Sequence, residues 1–147
     1  MKVKQKRLAR LSATKATATQ TDAVDFQERV NEWIQACFGP GLTYDVVERN
    51  FRFCEEALEL TQACGTSVDE AHQLVEYVYS RPVGEKKQET GGVMVTLAAL
   101  CWAQGMDMAE CGEQELARVW GCIERIRAKQ ASKPGGVRSP LPGGAGL

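Results

Sequence analysis

The chain has a single histidine, His72, and its six cysteines form no C-x-x-C pair. Those absences argue against a zinc site and against a cysteine nucleophile, which needs a histidine base. No apolar run approaches the ~20 residues of a membrane span, so no membrane partner is expected. No Walker-type glycine loop is present, so any phosphate grip must come from side chains or metal. The N-terminus has no apolar signal-peptide core, so a cytoplasmic location with reduced thiols is expected. Cys37, Cys54, Cys64, Cys101, Cys111 and Cys122 sit mostly in apolar neighbourhoods and read as small core residues.

Acid is scarce at the start. Residues 1–22 carry Lys2, Lys4, Lys6, Arg7, Arg10 and Lys15 against Asp22 alone. No aromatic side chain interleaves these bases, so they read as a disordered basic tail rather than a nucleic-acid arm. The last stretch, 134–147, is rich in proline and glycine and reads as a second disordered tail. Between them, residues 23–133 form the expected folded domain, with 11 basic and 18 acidic side chains. At 147 residues, with 44% hydrophobic and 25% charged residues, the composition is that of an ordinary globular chain with one core.

What the middle holds is helix punctuation. A capping residue followed three positions later by Glu occurs at Asp25/Glu28, Asp45/Glu48, Ser67/Glu70 and Asp107/Glu110. Stops follow at Gly39-Pro40-Gly41, Gly65, Pro82, Gly105 and Pro134-Gly135. Stripes at helical spacing lie between them: Phe26, Val30, Trp33, Ile34 and Cys37; Val47, Phe51, Cys54, Leu58 and Thr61; Ala71, Val75 and Val78; Leu116, Val119, Trp120, Ile123 and Ile126. The stretch "VMVTLAALCWA", 93–103, is apolar all round and reads as a helix buried among others. The pattern predicts five helices, 25–38, 44–64, 67–81, 85–104 and 107–132, with no strand pair. The expected fold is an all-α bundle.

Within "CEEALEL", residues 54–60, Glu55, Glu56 and Glu59 crowd three carboxylates beside an apolar stripe. Like charges at i,i+4 repel by about 0.2–0.5 kcal/mol. A solvated acidic face would accept that cost. A hard cation such as Mg²⁺ would reverse it, and helical bundles hold such ions with carboxylates from two helices. Glu89, in "QETGGVMVTL", offers the second helix.

"RFCEEALELTQACG" followed by "QETGGVMVTLAAL" resembles the MazG-like all-α nucleotide pyrophosphohydrolases. Over about residues 26–134 the resemblance is to the bacteriophage and prophage branch described as dATP/dGTP diphosphohydrolases. That likeness implies a hydrolase in nucleotide metabolism. It would cleave (deoxy)nucleoside triphosphates, dATP or dGTP among them, to monophosphate and pyrophosphate. The E-E-x-x-E motif maps onto Glu55, Glu56 and Glu59, and the first Glu of E-x-x-D maps onto Glu89. The resemblance implies Mg²⁺ as cofactor, with Mn²⁺ as a substitute, held by these four, and it implies a homo-oligomer. One of Glu55 and Glu56 is the candidate to orient the attacking water.

The chain departs from E-x-x-D at Gly92, where the general motif has Asp. Gly91 and Gly92 inside a helix cost roughly 1 kcal/mol each relative to Ala. Close helix approach and room for a nucleotide are both open as reasons. Glu85, one turn before Glu89, is a candidate replacement ligand, and equally a favourable charge in a first helical turn. Arg52, Arg81, Lys86 and Lys87 are the candidate phosphate-binding cations. Arg52 can instead pair with the neighbouring carboxylates, and Lys86 and Lys87 can be solvated loop charges. His72 reads as a packed or surface residue. The rival reading is a catalytically degenerate protein of the same fold that binds a nucleotide or a host factor. Trp102 and Trp120 are candidate anchors of an oligomer interface.

Overall fold

The computed structural model describes residues 21–133, with side chains from Phe26 onward. Both expected tails lie almost wholly outside the described residues, as does the side chain of Asp25. The described residues are helical, with no strand among them. Six helices run in order: α1 Thr21–Thr43, α2 Val46–Ala63, α3 Val68–Tyr79, α4 Lys86–Gln104, α5 Met108–Trp120 and α6 Ile123–Ala131. The chain divides into two compact units, one ending at Thr43 and one starting at Tyr44.

In the first unit, α1 starts four residues ahead of the expected Asp25 boundary. It is broken where glycine and proline stand together. Gly39 has φ 73° and ψ 177°, outside helical space, and Pro40 begins the short turn that follows. Only glycine takes such a φ without strain.

In the second unit the helix starts follow the sequence. Asp45 accepts from the Glu48 amide at 3.0 Å. Asp107 accepts from the amides of Ala109 and Glu110 at 3.0 and 3.1 Å. Ser67 forms the full reciprocal box, its amide donating to Glu70 Oε2 at 2.8 Å. Each cap satisfies an amide that helix geometry would leave orphaned. Gly105 ends α4 in the left-handed region at φ 74°.

Two expectations are corrected. The fifth helix, expected from 107 to 132, is two helices. Gly121 and Cys122 donate to carbonyls only three residues back, Arg118 and Val119, at 3.1 Å each, and the α-ladder lapses there. Glycine is a poor helix interior, by roughly 1 kcal/mol against Ala, and Cys122 offers no side-chain cap to restart the ladder. The apolar stripe runs on across the break, which hides it from periodicity.

The second correction concerns 93–103. The helix forms, but within one chain it is not buried among others. Val95 is 70% exposed and Trp102 54%, and of the stretch only Cys101 is buried. In the second unit the side-by-side packing is α4 with α5 and α5 with α6. The buried apolar residues there are Cys101, Leu116 and Val119. α4 offers little polarity to water in exchange: Thr90 and Thr96 turn their hydroxyls onto the Lys86 and Gly92 carbonyls, at 2.8 and 2.9 Å.

Candidate functional site

The acidic motif lies mid-way along α2. Glu55, Glu56 and Glu59 share one side of that helix, as 100° per residue requires. Glu55 is tied down by the Arg52 guanidinium one turn earlier. Arg52 also points Nε toward Glu48 Oε1 at 3.5 Å. So Arg52, a candidate phosphate cation, is engaged by carboxylates on its own helix.

Glu56 is the electrostatically strained member. Its pKa is raised by partial burial first, then by the charges of Glu59, Glu115 and Glu55, with Lys129 opposing. Glu115 and Lys129 belong to α5 and α6, so elements remote in sequence bring a fourth acid and a base toward this group. Glu115 is held ionised by Arg118, which bridges both its oxygens at 2.8 and 2.6 Å.

Glu89 stands apart from the triple. It is exposed in the first turn of α4, and its carboxylate folds over Gly84 in its own preceding loop, filling the space a Cβ there would take. α2 and α4 are not packed side by side. Among the described residues, no three His, Cys, Asp or Glu side chains converge to hold a metal ion. The single chain therefore does not bring Glu59 and Glu89 into one ligand set.

Glu85 caps α4, its carboxylate accepting from the Gln88 amide at 2.9 Å. Backbone hydrogen bonds from Lys87 and Gln88 lower its pKa. Arg81 lies over the Tyr77 ring, 5.2 Å from its centroid, and donates to the Tyr77 hydroxyl at 3.3 Å. Lys86 and Lys87 are exposed in the first turn of α4. His72 is exposed on α3, away from any ligand set. A Cβ on Gly91 or Gly92 would meet nothing within 4 Å, so neither glycine is demanded by a neighbour in its own chain.

Sequence reasoning gave Glu48 only the role of third residue in a capping pair. It is fully buried. Lys133 Nζ donates to its Oε1 at 2.6 Å and Gln130 Nε2 at 3.3 Å. Glu115 and Lys129 were likewise missed as neighbours of Glu56. No short-range spacing signals any of these, because the partners lie more than 50 residues away.

No protein-family model, curated protein or solved structure matches the chain. The all-helical class rests on the structure itself.

Proposed function

We propose that the protein is a nucleotide pyrophosphohydrolase that acts on (deoxy)nucleoside triphosphates with Mg²⁺, Mn²⁺ serving as a substitute. The observation that carries the reading is Glu56. Its proton affinity is raised by partial burial first and then by three other carboxylates that the fold brings near it, Glu59, Glu115 and Glu55. Arg52 holds Glu55, Arg118 holds Glu115 and Lys129 opposes at Glu56, yet the field on Glu56 stays net negative, which suits a further cation supplied from solution. The E-E-x-x-E likeness supplies the reaction class. Its product pair is nucleoside monophosphate and pyrophosphate.

Glu55, Glu56 and Glu59 are oxygen donors of the kind Mg²⁺ takes, and would hold it in part, since among the described residues no three such side chains converge in one chain. The residues themselves suggest a division of labour. Glu56, with its raised pKa, is the better general base toward a water attacking the α-phosphorus. Glu55, held by Arg52, stays a fixed anion. Among the described residues, Lys86 and Lys87 are exposed cations on offer to a triphosphate chain, while Arg52 and Arg81 are already engaged.

Gly92 and the separation of Glu89 from the triple favour a second reading, a nucleotide-binding protein that has lost turnover. A panel of dNTPs and NTPs with Mg²⁺, products identified by chromatography, decides between them. Pyrophosphate release from at least one nucleotide, abolished by EDTA and by Glu59→Gln, supports the enzyme. Saturable nucleotide binding without release supports the second reading. Neither release nor binding ends both.

A further inference from the structure

We propose that Lys129 is an exchangeable counterion of the acidic triple. Its ammonium balances Glu56 before a divalent cation binds, and passes to the phosphate chain of the nucleotide once that cation has arrived. This rests on the reading of Glu55, Glu56 and Glu59 as metal-holding carboxylates. It adds a residue from another helix, and it couples the binding of metal to the binding of substrate.

The geometry starts at the far end of α6. Lys133 Nζ and Gln130 Nε2 both donate to Glu48 Oε1, at 2.6 and 3.3 Å. The end of α6 is thereby fastened to the first turn of α2. Lys129 stands one turn before Lys133, and its charge acts on Glu56. Glu56 lies beyond Glu48 by about 12 Å along the helix axis. One turn back along α6 covers about half of that, and the four-carbon stem of lysine reaches the rest. So α6 runs back along α2, from Glu48 towards the acidic triple.

The other cations here are engaged. Arg52 holds Glu55, Arg118 holds Glu115, and Lys133 is fastened to Glu48. Lys129 is half-buried, yet none of the ion pairs among the described residues includes it. A compact charge on a flexible stem, beside a negative field and with no fixed acid, is free to change partner. Lys86 and Lys87 are exposed, but they belong to α4, which is not packed beside α2. Lys129 is the cation that the fold itself brings to Glu56.

Charge arithmetic gives the consequence. A divalent cation on the triple adds two positive charges where Lys129 supplied one, and like charges at close range repel. The lysine therefore opposes metal alone. It favours metal together with a phosphate chain, which gives the displaced ammonium a new anion. The coupling is reciprocal, so each ligand strengthens the other. A lysine kept only for its apolar stem would leave both bindings unchanged when its head is removed.

The test uses the full chain as Lys129→Met, Lys129→Arg and Arg127→Met. Arg127 controls for net charge. It lies on the opposite side of α6 from Lys129, exposed and paired with Glu124 at 2.6 Å. Circular dichroism checks folding, and Lys129→Gln stands in if the methionine variant does not fold. Mn²⁺ binding without nucleotide is read by electron paramagnetic resonance. Binding of inorganic tripolyphosphate, which carries the phosphate chain without base or sugar, is read by titration calorimetry in Mg²⁺. Lys129→Met is expected to bind Mn²⁺ about three- to tenfold more tightly. It is expected to bind tripolyphosphate about tenfold more weakly. Lys129→Arg, which keeps the charge, should stay near the wild type in both. Opposite signs in one variant are what a purely structural residue would not give. Unchanged or weaker Mn²⁺ binding in Lys129→Met, unchanged tripolyphosphate binding, or an equal Mn²⁺ gain in Arg127→Met overturns the proposal and leaves the reading of the triple standing. A wild type that binds no Mn²⁺ sinks that reading and the proposal with it.

Discussion

Lys133 Nζ lies 2.6 Å from Glu48 Oε1, and their side chains are 4% and 0% exposed. Arg52 and Arg49 approach the same oxygen at 3.5 and 3.7 Å. The carboxylate is therefore the hub and the cations are its spokes. Removing the hub should cost more than removing a spoke. Glu48→Leu strands a buried ammonium and should destabilise by about 3–5 kcal/mol. Lys133→Met leaves two guanidinium groups near the carboxylate and should cost about 1–3 kcal/mol. Urea denaturation of both variants checks the order, and the reverse order would show that Lys133 is the buried charge that matters.

Glu56 gives a pH prediction. Its pKa is raised on folding, so the folded chain holds that proton at pH values where the unfolded chain has released it. The native state then binds more protons, and stability falls as pH rises through that window. The penalty is absent below the unfolded pKa and complete above the folded one. Glu56→Gln should raise the melting temperature at pH 7 and leave it unchanged near pH 3.5. An equal gain at both values would mean the charge field is not the cause.

Mg²⁺ should act on the same field. If the cation binds the folded protein, it raises the melting temperature by mass action, and the advantage of Glu56→Gln over the wild type shrinks as Mg²⁺ is added. A thermal shift series in MgCl₂, with NaCl of equal ionic strength as control, reads this. Equal shifts in both salts would reduce the effect to screening.

Glu85 is committed to the Gln88 amide at the start of α4. A glutamine there can still accept that bond. Glu85→Gln should therefore keep the helix and keep turnover, whereas Glu59→Gln loses it. Loss of activity in Glu85→Gln at unchanged melting temperature would make Glu85 the stand-in for the motif aspartate.

Gly92→Asp restores the carboxylate of the E-x-x-D pattern in a helix with space for it. Tighter Mn²⁺ binding is the expected result, by titration calorimetry. Weaker binding at unchanged melting temperature would show that a carboxylate at 92 does not join the site.

Helix starts were legible because a cap is a local event. Asp45, Ser67 and Asp107 each act within three residues, so the spacing alone reveals them. The break at Gly121 was hidden because Leu116, Val119, Ile123 and Ile126 keep helical phase across it. The acidic triple was legible for the same reason as the caps, being confined to two turns of one helix. What surrounds it was not. Glu115, Lys129 and Lys133 come to α2 by tertiary packing, and no periodicity encodes an approach across more than 50 residues. The expected burial of 93–103 failed for a different reason. An apolar stretch states that it needs cover, and the sequence does not state what supplies it.

The link from Glu48 to Lys133 also sets an order of events during synthesis. The two residues are 85 positions apart. At about 5–20 residues per second, Glu48 emerges on the order of 4–17 s before its ammonium partner exists. Until then the carboxylate has Arg52 and Arg49 near it but lacks its shortest ion pair. That acidic side chain orders events on the nascent chain: the second unit gains its full hold at α2 only after Lys133 has joined.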